Sequence, residues 1–315
     1  MKFRFAYTAI LLAVSATASS RKEVRLADAA NVAEVKLHYD RFVLISRTGA
    51  PRPALDDQKV LVLAADGVRQ SVHTPGRDVK GAYSFLINDA AGSPSGRVAV
   101  SGTVWSEDGR VAEVLVLYPP GSRPVIIRTQ PLMCRRMAFD ADEQLWCLVS
   151  DVPKFNEGSS DYSLVAKFSP SGALLGQFVP RAGFAGKAPE SDGRRFEGPA
   201  RIAAGQGCVD VWLPRASTAI RLRADGTEQG RRPIDPAATE GLAFDTDCNP
   251  SRISWHAGSR TYGILRHTEE GWVATAAEIP ENLIGRHELL AVKGGEAILW
   301  NVRNLLAYTL PLTSR

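Results

Sequence analysis

The sequence of 315 residues carries 38 Lys and Arg against 34 Asp and Glu, a formal net charge of +4 at pH 7. This near-neutral balance, with no long run of like charge, excludes nucleic acid as the expected partner, because nucleic acid requires a clustered basic surface. No apolar segment approaches the roughly 20 residues of a membrane-spanning helix, so we do not expect a membrane-embedded protein.

The N-terminus has the features of an export signal. Lys2 and Arg4 precede an apolar run of about ten residues, and the residues from Ala16 to Ala18 supply the small-x-small pattern of a cleavage site. No cysteine follows the run as a site for lipid attachment. We therefore predict a signal peptide over 1–18 and a single mature domain over 19–315, located in a periplasm or outside the cell.

Short apolar stretches then follow one another along the chain, and long helical patterns are missing. Examples are Phe42–Ile45, Val60–Leu63, Val114–Leu117 and Ile298–Trp300. They are rich in β-branched residues and bounded by Gly, Pro, Asp or Ser, which is typical of strands. The sequence predicts an all-β protein.

Two markers recur with an irregular period of roughly 40–65 residues. The first is a glycine in a tight turn after an apolar strand, where a hairpin requires positive φ. These glycines are Gly67, Gly121, Gly172, Gly226 and Gly271. The second is a tryptophan that closes an apolar strand, expected to pack between neighbouring sheets. These tryptophans are Trp105, Trp146, Trp212, Trp255 and Trp300.

A period of this length, built from four short strands, is typical of a β-propeller blade. The mean glycine spacing favours six blades of four antiparallel strands, which we name A to D from the axis outward. Tryptophan then falls on strand B and glycine in the C–D turn. The last blade lacks a D strand before Arg315. We expect an N-terminal strand, Glu23–Leu26 or Val35–Leu37, to close the ring.

Three segments resemble the inner strands of the NHL-repeat and gluconolactonase-like six-bladed propellers. They are Arg136–Trp146, Pro199–Trp212 and the residues from Glu240 to Asp247. The resemblance covers three blades clearly and implies the fold. It also implies an alternative function, a metal-dependent lactonase or hydrolase with its site on the axis.

That alternative has partial support in the sequence. Glu197-Gly198-Pro199 resembles the glutamate motif of the gluconolactonase-like propellers, and Glu240 echoes it one blade later. In that family, however, the motif opens the first blade, and here it opens the fourth. The axial asparagines are not evident either. We therefore predict no metal site, no other cofactor and no identified catalytic residue, and leave open whether any catalysis occurs.

Long connections are predicted on one face of the propeller, where the D–A and B–C loops emerge. The segments 151–162 and 181–197 are expected to lie side by side there, with 48–57 of the first blade on the same face. Long loops on a rigid scaffold often carry function. The residues that we assign to an interaction surface are Lys154, Phe155, Tyr162, Phe184 and Phe196.

Charged residues gather where the inner strands begin, around the axial mouth. Arginine side chains there suit a small polar or anionic ligand, because a guanidinium binds carboxylate or phosphate in a bidentate way. Pairing of these charges among themselves is the competing interpretation. The predicted ligand-binding residues are Arg135, Arg136, Arg195, Glu197, Arg201, Glu240 and His287.

The four cysteines allow three pairings in an oxidising compartment. Cys208 and Cys248 fall in the A–B turns of adjacent blades, so we predict a disulfide between them. Cys134 is expected opposite Ser150, and Cys147 opposite Met137. That offset places the two thiols roughly 10 Å apart along the strands, so both are expected to be unbridged.

The leading hypothesis is an exported, monomeric binding module that presents its long-loop face to a partner protein or a small polar or anionic ligand. The lactonase or hydrolase is the runner-up. A sensor or assembly component without chemistry is the third. The sequence does not identify the ligand, the partner or the pathway.

Overall fold

The computed structural model of the chain describes residues 23–25, 32–184, 189–190, 200–235, 241–256, 261–268, 271–278 and 287–312. Within these ranges the chain is all β, apart from the short helices α1 (Pro75–Asp78) and α2 (Val152–Asn156) and two single turns of 3-10 helix. The predicted signal peptide lies outside the described residues.

The strands form six four-stranded antiparallel sheets, the blades of a β-propeller, as predicted. The first strand, β1, is Glu23–Arg25. Blade 1 contains β2 (Val32–His38), β3 (Arg41–Ser46), β4 (Lys59–Ala64) and β5 (Arg69–His73). Blade 2 contains β6 (Ala82–Gly92), β7 (Val98–Ser106), β8 (Val111–Tyr118) and β9 (Val125–Arg128). Blade 3 contains β10 (Leu132–Phe139), β11 (Leu145–Asp151), β12 (Ser163–Phe168) and β13 (Leu174–Pro180).

The second half of the ring repeats the same order. Blade 4 contains β14 (Arg201–Ala204), β15 (Cys208–Leu213), β16 (Thr218–Arg223) and β17 (Glu228–Pro233). Blade 5 contains β18 (Leu242–Phe244), β19 (Pro250–His256), β20 (Thr261–Thr268) and β21 (Gly271–Glu278). Blade 6 contains β22 (His287–Lys293), β23 (Glu296–Asn301) and β24 (Leu306–Pro311).

The N-terminal strand closes the ring. β1 pairs antiparallel with β24 as the outer strand of blade 6, with Val24 opposite Ala307. Of the two predicted candidates, Glu23–Leu26 supplies this strand, and Val35–Leu37 lies in β2, the inner strand of blade 1. Closure gives the last blade its fourth strand and covers the edge that β24 would otherwise expose.

The hydrophobic core lies between the blades. Val43 and Val60 of blade 1 pack with Phe85 and Val100 of blade 2 in one buried cluster. Similar clusters join blades 2 and 3, blades 3 and 4, and blades 6 and 1. Contacts between the A strands of neighbouring blades place these strands innermost, around the axis.

The glycine marker is confirmed in blades 1 to 5. Four of the five glycines lie in C–D turns and Gly271 is the first residue of β21, directly after such a turn. All five have φ between 67° and 113°, a region that favours glycine. Gly226 also needs its lack of a side chain, because an added Cβ would lie 2.0 Å from Cε1 of Phe178. That contact packs the turn of blade 4 against the outer strand of blade 3.

The tryptophans lie on the predicted strands, but one of them, Trp146, does not lie at the predicted end of its strand. All five tryptophans lie on B strands, and Trp146, Trp212 and Trp300 are buried between neighbouring blades. Trp146, however, is the second residue of β11 and does not close the strand. Its indole Nε1 donates to Oδ2 of Asp140 in the A–B turn, 2.8 Å away, which fixes it at that end.

The A–B turns of the blades are joined into a belt around one end of the axis. Ser95 of blade 2 donates to the carboxylate of Glu143 in blade 3. The Tyr39 hydroxyl of blade 1 reaches the carbonyl of Phe139 in blade 3, 3.1 Å away. The amide of Gln206 in blade 4 donates to Thr246 of blade 5 at 3.0 Å. These contacts connect the A–B turns of different blades on this face.

The predicted disulfide is present. Cys208 and Cys248 join the A–B turns of blades 4 and 5, with 6.2 Å between their Cα atoms. Cys134 and Cys147 are free and buried, also as predicted.

The predicted register around Cys134 was wrong. A bulge between Cys134 and Arg136 shifts the pairing, so Cys134 lies opposite Val149. Cys147 lies opposite Met137, as expected. The predicted offset of three residues is therefore two, because Cys134 lies opposite Val149 and not opposite Ser150. Burial, and then the neighbouring Cys134, raise the pKa of the Cys147 thiol well above its usual value.

Replacing both bridged cysteines, Cys208→Ser with Cys248→Ser, should lower the free energy of unfolding by about 2–4 kcal/mol, because the bridge closes a loop of 40 residues. Chemical denaturation of both proteins measures the difference, and adding reductant to the wild type should reproduce it. An unchanged midpoint, or a 134–147 linkage in non-reducing peptide maps, would contradict the assignment.

Candidate functional site

The face bearing the D–A and B–C connections, called the loop face below, carries the long segments. In blade 3 the B–C connection contains α2, which Asp151 caps by accepting from the Lys154 amide at 3.4 Å. The next D–A connection begins at Arg181, whose amide donates to the carbonyl of Tyr162 at 2.8 Å. The Tyr162 hydroxyl also donates to the carboxylate of Glu190. The predicted adjacency of these two segments is therefore confirmed over their described residues.

On the axis, cations from three blades converge on Glu34. Lys36 Nζ lies 3.8 Å from one of its carboxylate oxygens and Arg47 Nη2 lies 3.5 Å from the other. Burial alone would raise the pKa of Glu34, but the charges of Lys36, Arg136, Arg47 and Arg201 outweigh it and lower the pKa to about 2. The charges of Arg136 and Arg201, both predicted ligand-binding residues, thus act on the same carboxylate.

A second carboxylate extends this group into the ring. Asp89 of β6 is fully buried and pairs with Lys36. Its Oδ2 accepts from the Met137 amide of blade 3 at 2.7 Å, so it joins blades 1, 2 and 3. We call these six side chains the axial cluster: Glu34, Lys36, Arg47, Asp89, Arg136 and Arg201.

Beside the axis, Arg135 connects the mouth with the B–C connection of blade 3. As the extra residue of the β10 bulge, it points differently from its neighbours. Its Nε donates to Ser150 Oγ, and its guanidinium lies 5.3 Å from the ring centroid of Phe155 in α2. The structure thus brings together a predicted ligand-binding arginine and a predicted interaction residue.

A buried carboxyl, Glu113 on β8, lies near Arg135. Both of its oxygens are 3.1 Å from Thr103 Oγ1, and Asn88 Nδ2 lies 3.4 Å from Oε2. Asn88 is itself the extra residue of a bulge in β6. Burial raises the pKa of Glu113 to about 7, against the opposing effects of Thr103, Asn88 and Arg135. A carboxyl that titrates near neutral pH is typical of functional sites, although ion-pair networks also produce such shifts.

His287 lies inside blade 6. It is 7% exposed, its Nε2 lies 2.9 Å from Nδ2 of Asn301, and its ring packs edge-on against Tyr308. These contacts are those of a packed core histidine. Its role in ligand binding stays a prediction that this placement does not favour.

The predicted interaction residues are partly used in packing. Tyr162 is tied to Glu190, and Phe184 is 9% exposed beneath the guanidinium of Arg231. The ammonium of Lys154 bonds to Asp161 within its own loop. Among the four described residues of this set, Phe155 is the one that contacts a residue of the mouth.

Several predicted residues lie outside the described ranges: Arg195, Phe196, Glu197 and Glu240. In the part of the chain that the structure describes, no three His, Cys, Asp or Glu side chains are grouped to hold a metal ion. The two carboxylates that carried the lactonase alternative are not among those residues.

Sequence reasoning missed four of the six side chains of the axial cluster, and also the carboxyl of Glu113. The residues Glu34, Lys36, Arg47, Asp89 and Glu113 were not singled out. A signal was present for two of them, because Glu34, Lys36 and His38 alternate with Val35 and Leu37. Such alternation predicts a strand with one polar side. Asp89 and Glu113 stand in apolar surroundings and give no comparable pattern.

The opposite face carries a groove of about 590 Å³ beside Tyr39, Asp40, Arg41 and Gln70. Its charges are used within the protein. Arg41 donates to Gln70 and to two backbone carbonyls, and Asp40 pairs with Lys293. It offers less to a ligand than the axial cluster does.

The architecture defines the protein as a six-bladed β-propeller. No model of a known protein family matches the sequence, and no curated protein is significantly similar to it. Solved structures with a similar fold include a protein of unknown function from Bacteroides caccae, at 12% identity over 84% of each chain and a TM-score of 0.45.

Two enzymes are also among the similar structures. A streptogramin B lyase is 14% identical over 94% of this chain and 88% of its own, with a TM-score of 0.40. A glucose dehydrogenase is 14% identical over 93% and 99%, with a TM-score of 0.45. At such values the likeness concerns the general fold and carries no argument about activity. The resemblance to NHL-repeat and gluconolactonase-like propellers stays a prediction.

Within the described ranges, no helix combines the length and the apolar character needed to cross a bilayer.

The raised pKa of Glu113 predicts a pH dependence of stability. Its pKa is about 7 in the folded protein and 4.5 ordinarily, so the folded state holds this proton more tightly. The contribution of this proton to the free energy of unfolding is full below pH 4.5 and is lost as pH rises through 7. Glu113→Gln should therefore stabilise the protein at pH 8 by about 1–3 kcal/mol relative to the wild type, with little difference at pH 4.5.

Denaturation of both proteins at several pH values between 4.5 and 8 measures this difference. The matched control is Glu107→Gln, an exposed glutamate in the B–C turn of the same blade. A constant difference between wild type and Glu113→Gln across this range would show that Glu113 does not titrate there.

Proposed function

We propose that this protein is an exported binding propeller that takes a small anionic ligand at the loop-face end of its axis. The observation that carries the proposal is the meeting of Lys36 and Arg47 with the buried carboxylates of Glu34 and Asp89, where Lys36 Nζ and Arg47 Nη2 lie 3.8 and 3.5 Å from the Glu34 oxygens. The charges of Arg136 and Arg201, from blades 3 and 4, act on the same Glu34 carboxylate. A carboxylate or phosphate group is the chemistry that such a set of donors suits.

The two ends of the axis support the direction of entry. The A–B turns are bonded to one another and Tyr39 spans between blades 1 and 3. The loop face instead carries the arginines and the half-buried Phe155 next to Arg135. A ligand would therefore enter from the loop face and meet Arg135 before the axial cluster.

Export belongs to this proposal. The N-terminal pattern of Lys2, Arg4 and Ala16 to Ala18 is that of a signal peptide, and the Cys208–Cys248 disulfide is compatible with an oxidising compartment. We propose a monomer in the periplasm or outside the cell. In a second form of the same proposal, the loop face binds a partner protein next to Phe155 and Arg135.

The alternative remains a metal-dependent lactonase or hydrolase that uses Glu197 and Glu240. A metal that binds the native state stabilises it more as the metal concentration rises above Kd, with a logarithmic dependence. A rise in Tm with Ca²⁺ or Zn²⁺, lost in Glu197→Gln, would favour this alternative. An unchanged Tm across the metal series would argue against it.

Removing axial cations should weaken anion binding. We expect Arg136→Gln and Arg201→Gln each to raise the Kd for citrate by about tenfold or more, because each variant loses a charged donor. Isothermal titration calorimetry of the mature chain measures Kd, with ionic strength held constant by NaCl because salt screens these charges.

The matched control is Arg110→Gln. Arg110 lies in the B–C turn of blade 2, on the loop face, with its side chain 86% exposed and its Nε 3.1 Å from Asp108. Arg110→Gln removes one positive charge, as the axial variants do, but at a position away from the axis. Its Kd should therefore stay within about twofold of the wild-type value. Equal weakening by all three variants would show that binding follows net charge and not the axial cluster.

A further inference from the structure

Two side chains of blade 1, those of Arg47 and Gln58, form hydrogen bonds with β6, the inner strand of blade 2, at the loop face. Ser46 of β3 pairs with Lys59 of β4, so Arg47 and Gln58 are the next residues across from each other. Gln58 Oε1 accepts from the Ile87 amide at 2.6 Å, and Arg47 Nη2 donates to the Asn88 carbonyl at 2.6 Å. The two residues therefore lie across from each other at the end of the β3–β4 ladder, and both bond to consecutive residues of β6.

Three donors at this junction are buried and unused. Arg47 Nε, Thr48 Oγ1 and Gln58 Nε2 have no hydrogen-bond partner among the described residues. Gln58 is 1% exposed, so bulk water does not satisfy its NH₂ group. An unpaired buried donor is costly, and native proteins pair most such groups with protein, water or ligand.

The chemistry of the three groups selects the missing partner. Arg47 Nε and Gln58 Nε2 are donors only, and a hydroxyl can donate as well. Arg47 adds a positive charge and belongs to the axial cluster, so the junction adjoins the site proposed above. A group with several acceptor oxygens and a negative charge matches this set.

We propose that Arg47, Thr48 and Gln58 form an oxyanion subsite that binds a carboxylate, phosphate or sulfate group. The proposal rests on the proposed function and deepens it, because it names the residues that hold the anionic group and the chemistry of that group. The axial arginines attract the ligand, and the subsite fixes its charged end at the junction of blades 1 and 2.

Two variants remove the donors with little change of shape. Gln58→Glu keeps an oxygen for the Ile87 amide but replaces the NH₂ donor by a carboxylate oxygen, which repels an oxyanion. Thr48→Val keeps the side-chain volume and removes the hydroxyl. Thr48→Ser, which retains a hydroxyl, should bind like the wild type and separates loss of the donor from a change in packing.

The matched control is Gln70→Glu. Gln70 is exposed on β5, and its Oε1 accepts from Arg41 Nε at 3.1 Å on the opposite face. This variant makes the same chemical change and the same change of net charge as Gln58→Glu. It should bind anions like the wild type.

The test is calorimetry of the mature chain with succinate, inorganic phosphate and sulfate, at constant ionic strength and with folding of each variant checked by Tm. We expect the wild type to bind at least one anion, and the anion that binds most tightly identifies the group. Kd should rise about tenfold in Thr48→Val and further in Gln58→Glu, with Thr48→Ser and Gln70→Glu unchanged. If Gln58→Glu does not fold, Thr48→Val against Thr48→Ser decides alone.

The outcomes separate this proposal from the proposed function. Unchanged binding in Thr48→Val and Gln58→Glu, with loss in Arg201→Gln, would overturn the subsite and leave the axial function standing. Loss in Thr48→Val and Gln58→Glu with unchanged binding in Arg201→Gln would support the subsite and contradict the axial cluster. A wild type that binds none of the three anions would overturn both and indicate that water satisfies the three donors.

Discussion

The constraint on which the structure depends is that no blade buries its apolar surface alone. Val43 and Val60 of blade 1 need Phe85 of blade 2, and Trp300 of blade 6 packs with Phe42 of blade 1. Each sheet therefore requires a neighbour on both sides, which only a closed ring provides. The pairing of β1 with β24 completes the last sheet from the opposite end of the chain. The disulfide and the bonded A–B turns reinforce a ring that packing has already imposed.

Ring closure also explains why charges meet on the axis. The six inner strands surround the axis, and a side chain that faces the axis has no neighbouring sheet to pack against. Polar and charged side chains can therefore lie there. Asp89 is fully buried between Lys36 and the Met137 amide, an arrangement whose desolvation cost often exceeds its Coulombic gain. The axial cluster is thus weak evidence for stability. Under the proposed function, a bound anion would offset this cost, and the three unused donors at Arg47, Thr48 and Gln58 agree with that proposal.

The fold was predictable because its signals are local and repeated. The turn at Gly226 and the strand that contains Trp212 can each be recognised from a few neighbouring residues, and the spacing of the repeats indicates the number of blades. The site was harder, because it depends on side chains distant in sequence. Bulges at Asn88 and Arg135 change the direction of single side chains. The bulge at Arg135 also places Cys134 in a different register from the one predicted. Nothing in the sequence around Glu113 shows that it lies beside Arg135.

In the proposed function the ligand enters from the loop face, because A–B turns of several blades are bonded to one another at the other end of the axis. A ligand held in this way would enter and leave past Arg135, so a long molecule would not thread through the ring and be held at its middle. The protein would instead recognise ends. A chain with a terminal carboxylate or phosphate would insert that terminus and leave the remainder outside, beside Phe155 and α2. Selectivity for the terminus would then come from the axial cluster, and selectivity for the rest of the molecule from Phe155 and α2.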